Sequence, residues 1–85
     1  MRRVVFHAEA FEQFSGWAAR DAKLHERLVR LIRETARDPF TGIGKPEPLR
    51  HQLKGCWSRR INDEHRLVYR ASEEELIILS CRDHY

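Results

Sequence analysis

The sequence predicts an α+β domain in which two N-terminal helices pack on one face of a twisted antiparallel sheet. Three observations predict it. Apolar residues in the first half recur at helical spacing. The second half holds three strand-like runs joined by short polar links. A segment rich in glycine and proline, residues 40–55, separates the two halves. At 85 residues and 10.2 kDa the chain has room for one domain with a thin core.

Taken in order, Val4-Val5-Phe6 is a short β-branched and aromatic run that reads as an opening strand. Phe11, Phe14 and Trp17-Ala18 then follow at helical spacing, predicting a helix over about Ala8–Ala19. A longer helix starts near Asp21. Leu24, Leu28, Leu31 and Ile32 form its apolar stripe, and Lys23, Glu26, Arg27, Arg30, Arg33 and Glu34 fill the other face. Asp38-Pro39 ends it. Residues 40–55 hold two of the three prolines and three of the four glycines, so they read as a long ordered loop, a kind of segment that commonly carries function. Strands are then expected over Cys56–Ile61, His65–Ala71 and Leu76 to about Asp83, joined by Asn62-Asp63-Glu64 and Ser72-Glu73-Glu74-Glu75 as hairpin links. Helices on one face leave the other face of such a sheet free.

Charge distribution marks the second half. The stretch Lys45–Arg70 carries seven basic residues against three acidic ones, whereas the other residues carry nine against ten, within an overall net charge of +3. A local basic surface suits an anionic partner such as a phosphate backbone. Several classes are excluded. The longest apolar run, Leu76-Ile77-Ile78-Leu79, is too short to span a bilayer. Met1–His7 starts basic but lacks the apolar stretch and cleavage site of a signal peptide, so the cytoplasm is the expected location. Cys56 and Cys81 form no CxxC, and two buried free thiols are the commoner outcome for such a pair. His7, His25, His51, His65 and His84 show no metal-ligand spacing, so no metal or other cofactor is expected.

Strand alternation assigns residues to faces. Arg66, Val68 and Arg70 share one face, with Leu67, Tyr69 and Ala71 on the other. Ser80, Arg82 and His84 share a face opposite Leu79, Cys81 and Asp83, and Trp57, Arg59 and Ile61 oppose Ser58 and Arg60. One register brings Arg60, Arg66, Arg82 and His84 to the open surface beside the loop that carries Glu47. That set matches the needs of metal-free RNA cleavage: a base for the ribose 2′-OH, a cation for the phosphorane, and an acid for the departing 5′ oxygen. Taken singly, each residue has a plainer explanation. A loop glutamate is usually solvated, alternating arginines commonly line a wet sheet face, and a penultimate histidine commonly belongs to a frayed tail. Glu47, however, lies between Pro46 and Pro48, which push Lys45 and Glu47 toward extended geometry and stiffen the carboxylate's mount.

The blocks Gly42–Leu49 (GIGKPEPL), Trp57–Ile61 (WSRRI), Glu64–Tyr69 (EHRLVY) and Cys81–Tyr85 (CRDHY), with His51, Leu53 and Gly55 between them, closely resemble the YoeB toxins. These belong to the RelE-like superfamily of bacterial type II toxin–antitoxin systems, and the resemblance covers essentially the whole chain. It implies a microbial-ribonuclease-like fold and an endoribonuclease that cleaves mRNA in the ribosomal A site, stopping translation without a cofactor. Residue by residue, Glu47 matches the family's general base, His84 its general acid and Arg66 the arginine that stabilises the phosphate. Lys45, Arg50, His51, Arg60 and Tyr85 fall at positions that line the RNA path. The implied partners are a YefM-like antitoxin, the 70S ribosome with its mRNA, and a second copy of the chain in a homodimer.

Two positions depart from the family pattern. Asp83 stands where close relatives often carry an aromatic residue; its charge and the terminal carboxylate favour a protonated His84, which helps an acid. Arg50 replaces a lysine, keeping charge and changing geometry. The competing expectation is a basic module that occupies RNA or the ribosome without cutting, with Trp57 and Tyr69 as stacking groups. It differs at Glu47, since a phosphate binder gains nothing from a carboxylate in its basic patch. A DNA-binding repressor lacks a helix-turn-helix signal.

Overall fold

In the computed structural model, which describes residues 1–83, strand β1 (Arg3–Phe6) leads into helices α1 (Ala8–Arg20) and α2 (Ala22–Arg37). Strands β2 (Glu47–Pro48), β3 (Trp57–Arg60), β4 (Arg66–Ala71) and β5 (Glu75–Ser80) follow, with a 3-10 turn at His51–Leu53. The sheet order is β1-β5-β4-β3-β2. Pairings β3–β4 and β4–β5 are antiparallel, as the short links predict, and the two-residue β2, inside the segment expected to be a loop, adds an antiparallel pairing with β3. The β1–β5 pairing is parallel, so the sheet is mixed rather than wholly antiparallel. The helices and three other strands separate β1 from its neighbour in the chain, so no hairpin link dictates its direction.

Asp21 is the only residue between the helices. Its side chain accepts the Leu24 N–H at 3.1 Å, capping α2, while its own N–H donates to the Trp17 carbonyl at 2.9 Å. Leu24, Leu28, Leu31 and Ile32 are buried as their spacing predicts, and face Leu67, Tyr69, Leu76 and Ile78 from the sheet. Burying one such side chain contributes on the order of 2 kcal/mol. On α1 the buried positions are Ala10 and Trp17, with Phe14 packed against the core, whereas Phe11 is 52% exposed and only edges Phe6. The α1 stripe therefore runs through Ala10, Phe14 and Trp17, one residue away from the stripe that starts at Phe11.

The core also contains a charge. Arg59 lies on the helix-facing side of β3 and is 0% exposed. Its Nε donates to Tyr69 Oη at 3.2 Å, Nη1 to the Ile43 carbonyl at 3.0 Å, and Nη2 to the carbonyls of Thr41, at 2.9 Å, and Asp38. Tyr69 Oη in turn donates to the Pro39 carbonyl at 2.6 Å. A loop that leaves a helix end exposes carbonyls that need donors. One guanidinium and one phenol supply them here for residues 38–43. Tyr69 is thus a structural member of the core rather than a stacking platform, and Trp57 packs on Phe40 with ring centroids 4.9 Å apart.

Replacing Arg59 with Met should lower stability by about 2–4 kcal/mol, because several carbonyls lose their donor together. Urea unfolding would measure this; a loss under about 0.5 kcal/mol would remove Arg59 from its organising role. Burial raises the Tyr69 phenol above its ordinary value, with the Arg59 guanidinium opposing that shift. A raised folded value means that Tyr69 contributes stability below about pH 10, the ordinary phenol range, and that this is lost as pH rises through the folded value. Tyr69→Phe should lower neutral-pH stability by about 1 kcal/mol and flatten the alkaline limb of the stability–pH curve.

Candidate functional site

Register settles which side chains share the face opposite the helices, on which Glu47 and Arg60 are exposed while Ser58 and Val68 are buried. Directly paired residues of an antiparallel sheet point the same way. Glu47 pairs with Ser58, Ser58 with Val68 and Val68 with Ser80, forming one row across four strands. Arg60 pairs with Arg66 two residues further along, on the same face. Two strand spacings and two residue rises separate the Glu47 and Arg66 backbones by roughly 12 Å, within which their side chains can converge on one phosphodiester.

Glu47 sits on a two-residue edge strand, where Pro48 is tolerated because no ladder partner needs its missing N–H. The extended geometry expected of Glu47 is present. Lys45 differs: its φ is +51°, in the left-handed region, not extended. Gly44, at φ +79°, and Lys45 together turn the chain so that the Gly44 carbonyl accepts the Arg60 N–H. A Cβ at Gly44 would lie 3.0 Å from both the Arg60 carbonyl and Leu31, so only glycine fits this approach. The turn docks the glutamate's loop onto β3. Arg50 and His51 are exposed on the β2–β3 connection, and His51 opens the 3-10 turn with φ +57°. The Leu49 N–H donates to the Cys56 carbonyl at 2.9 Å and closes that connection.

Arg66 is half-buried. Its Nη1 donates to the carbonyls of Asn62 at 2.7 Å and His65 at 3.1 Å, and more weakly to that of Asp63 at 3.4 Å. Among the described residues no contact engages its remaining N–H donors, which leaves them for an anion. The turn itself is set by Asn62, whose Oδ1 accepts the N–H groups of Glu64 and His65.

The strand expected to reach Asp83 ends at Ser80, after a register shift between Val68 and Tyr69. Beyond it, side chains take over from the ladder. Gln13 Oε1 accepts the Cys81 N–H at 2.8 Å, and Trp17 Nε1 donates to the Cys81 carbonyl at 2.9 Å. The Asp83 N–H donates to His65 Nδ1 at 2.7 Å, and its carbonyl accepts the Arg66 N–H at 2.9 Å. Asp83 has φ +59°, so the alternation that groups Arg82 with Ser80 does not continue. Arg82 borders a cleft at the α1–α2 junction with Trp17, Arg20, Asp21 and His65. The two terminal site residues, His84 and Tyr85, lie outside the described residues.

The structure thus brings Glu47, Arg60 and Arg66 to one surface, with Lys45, Arg50 and His51 on the loops beside it. Sequence reasoning missed the residues that hold this arrangement: Arg59, His65, Gln13 and Trp17. The signal for Arg59 was present, a charge alternating with Trp57 and Ile61 on the apolar face. Cys56 and Cys81 are buried free thiols, and burial pushes the Cys81 thiol up to about 12, so it is inert. Among the described residues no group of His, Cys, Asp or Glu is arranged to hold a metal ion, and no helix is long and apolar enough to cross a membrane.

Known proteins share this fold and much of this sequence. The family described as YoeB-like toxin of bacterial type II toxin–antitoxin system matches residues 6–85. A relative from Mycobacterium tuberculosis called Toxin RelK is 58% identical over 85 residues, covering 100% of both chains. The YoeB dimer from Staphylococcus aureus superposes with a TM-score of 0.91 at 39% identity, covering 99% of this chain and 98% of that one. The toxin chain in the heterotetrameric YoeB–YefM toxin–antitoxin complex of the same organism gives 0.89 at 38% identity, covering 100% and 99%.

Proposed function

The chain belongs to the YoeB-like toxins of bacterial type II toxin–antitoxin systems, and from that premise we propose that it is a ribosome-dependent endoribonuclease that cleaves mRNA in the A site. Glu47 takes the proton from the ribose 2′-OH, which attacks the adjacent phosphorus. Arg66, helped by Arg60, neutralises the charge that builds on the phosphorane, and His84 protonates the departing 5′ oxygen. The P–O2′ bond forms as the P–O5′ bond breaks, leaving a 2′,3′-cyclic phosphate and a free 5′-OH. Lys45, Arg50, His51 and Tyr85 guide the RNA. Its partners are a YefM-like antitoxin and a second copy of the chain, by likeness to the complexes of its relatives, and it works in the cytoplasm, where ribosomes are.

One observation carries the reading. Glu47 and Arg66 share the open face of the sheet, and the Arg66 backbone N–H holds the Asp83 carbonyl, the last described link before His84. The proposed base and cation thereby stand on β2 and β4, with β3 and its Arg60 between them. The competing reading, occupancy of RNA or the ribosome without cleavage, accounts for the arginines and leaves Glu47 without a role.

A purified translation reaction on a defined mRNA, run with and without EDTA, separates the two. Glu47→Ala should abolish the A-site cut while binding to RNA is retained or tightened. His84→Gln should slow cleavage by roughly 10²-fold or more with the fold and antitoxin binding intact. Stalled translation on intact mRNA would mean a binding inhibitor instead.

A further inference from the structure

We propose that His65 is a positioning residue that sets the C-terminal acid by clamping the main chain at Asp83, an inference that rests on the assignment of His84 as that acid. His65 is buried at the start of β4, with Trp17 edge-on at 4.7 Å between ring centroids. Its Nδ1 accepts the Asp83 N–H at 2.7 Å. A ring nitrogen that accepts this N–H carries no proton of its own, so Nδ1 is the acceptor end of the ring. The Asp83 carbonyl is held from the other side by the Arg66 N–H. Both polar backbone groups of the residue preceding the acid are therefore engaged by adjacent residues of β4 and its entry turn.

The clamp has work to do. Asp83 is a non-glycine residue at φ +59°, a conformation that needs fixed partners to persist at a chain end. His84 is joined to it by one peptide bond, so rotation at Asp83 moves the acid relative to the phosphate-holding Arg66. A misplacement of about 1 Å at a catalytic group can cost 10²-fold in rate. The role separates His65 from its neighbours: it touches no substrate, and acts through backbone geometry.

Several charges surround the ring. Glu64 Oε2 lies 3.9 Å from Nε2 and Asp83 Oδ1 lies 3.9 Å from Nδ1, while Asp21, Arg20 and Arg82 border the same cleft, with Arg20 5.3 Å from the Trp17 ring centroid.

The test uses the full chain and two substitutions that place a polar atom at different ends of the ring. His65→Asn puts a carbonyl oxygen near the Nδ1 position, where it can accept the amide without titrating; His65→Gln carries its polar end near Nε2. Hydrogen exchange of the Asp83 amide, read by NMR, should stay slow in the wild type and in His65→Asn, and should quicken by about tenfold or more in His65→Gln. Single-turnover cleavage on ribosomes should fall roughly 10- to 100-fold in His65→Gln without a change in KM, and recover in His65→Asn. Equal Asp83 protection in the wild type and His65→Gln would overturn the clamp, as would equally slow cleavage by both variants with the amide protected. If the wild type cleaves nothing, the ribonuclease reading falls, and the amide exchange by itself decides whether His65 holds the chain end.

Discussion

A buried guanidinium organises the half of the molecule that carries Glu47. Arg59 enters the core from β3 with no carboxylate in direct contact among the described residues, and a buried cation is costly unless its donors are met. Here backbone carbonyls and one phenol meet them, and all the carbonyls come from the loop that follows α2. The Asp38 carboxylate adds to the arrangement. It accepts from Thr41 Oγ1 and from the N–H groups of Phe40 and Thr41; these bonds, with a smaller contribution from the Arg59 charge, hold it below the usual carboxylate range. The loop is thus folded around a charge that the sheet supplies. Its far end then docks through the Gly44 carbonyl on the Arg60 N–H, one residue along the same strand. Arg59 faces inward to shape the loop, and Arg60 faces outward beside Arg66. Adjacent arginines divide structure and chemistry between the two faces of one strand.

The opposite end of the site is built by the same device in mirror form. Around residues 38–43 a side chain donates to main-chain carbonyls; around residues 81–83 the side chains of Gln13 and His65 accept main-chain N–H groups and Trp17 donates. In both places a segment without a ladder partner is held by groups from the packed layers. Ordering one residue of backbone costs about 1–2 kcal/mol, and a chain end has little burial to offset that. The several bonds to Cys81 and Asp83 offset that cost where the ladder has ended. Both ends converge on β3 and β4, the strands that bear Arg60 and Arg66.

What the sequence made legible were the features that local pattern controls. The α2 stripe, the two hairpins and the inward or outward sense of Arg66, Leu67, Val68 and Tyr69 all follow from periods of 3.6 and 2 and the polar links between runs. The direction of β1 was not legible, because its partner lies some seventy positions away in the chain. Lys45 was misjudged, since the effect of Pro46 on its backbone was weighed without the long-range bond from Arg60 to Gly44 that sets the turn. The end of β5 was misjudged for a related reason: the residues that replace the ladder there, Gln13 and Trp17, sit on a helix far earlier in the chain. Phe11 shows the limit of periodicity by itself, as Ala10, Phe14 and Trp17 satisfy the same spacing and win the core.

The arrangement also explains how a chain with a thin core can keep reactive groups in register. Glu47 and Arg66 are placed by strand pairing, which a residue-sized slip would throw onto opposite faces. The slip is opposed on both sides. Gly44 admits no other residue in its approach to Leu31 and Arg60, and Asn62 closes the β3–β4 turn through its own side chain. Buried Leu67 and Tyr69 penalise any shift that would bring them to solvent, at on the order of 2 kcal/mol each. The polar surface therefore inherits its geometry from the apolar one. That inheritance is why single glycine, asparagine and arginine residues beneath or beside the surface matter as much to its geometry as Glu47 and Arg66 themselves.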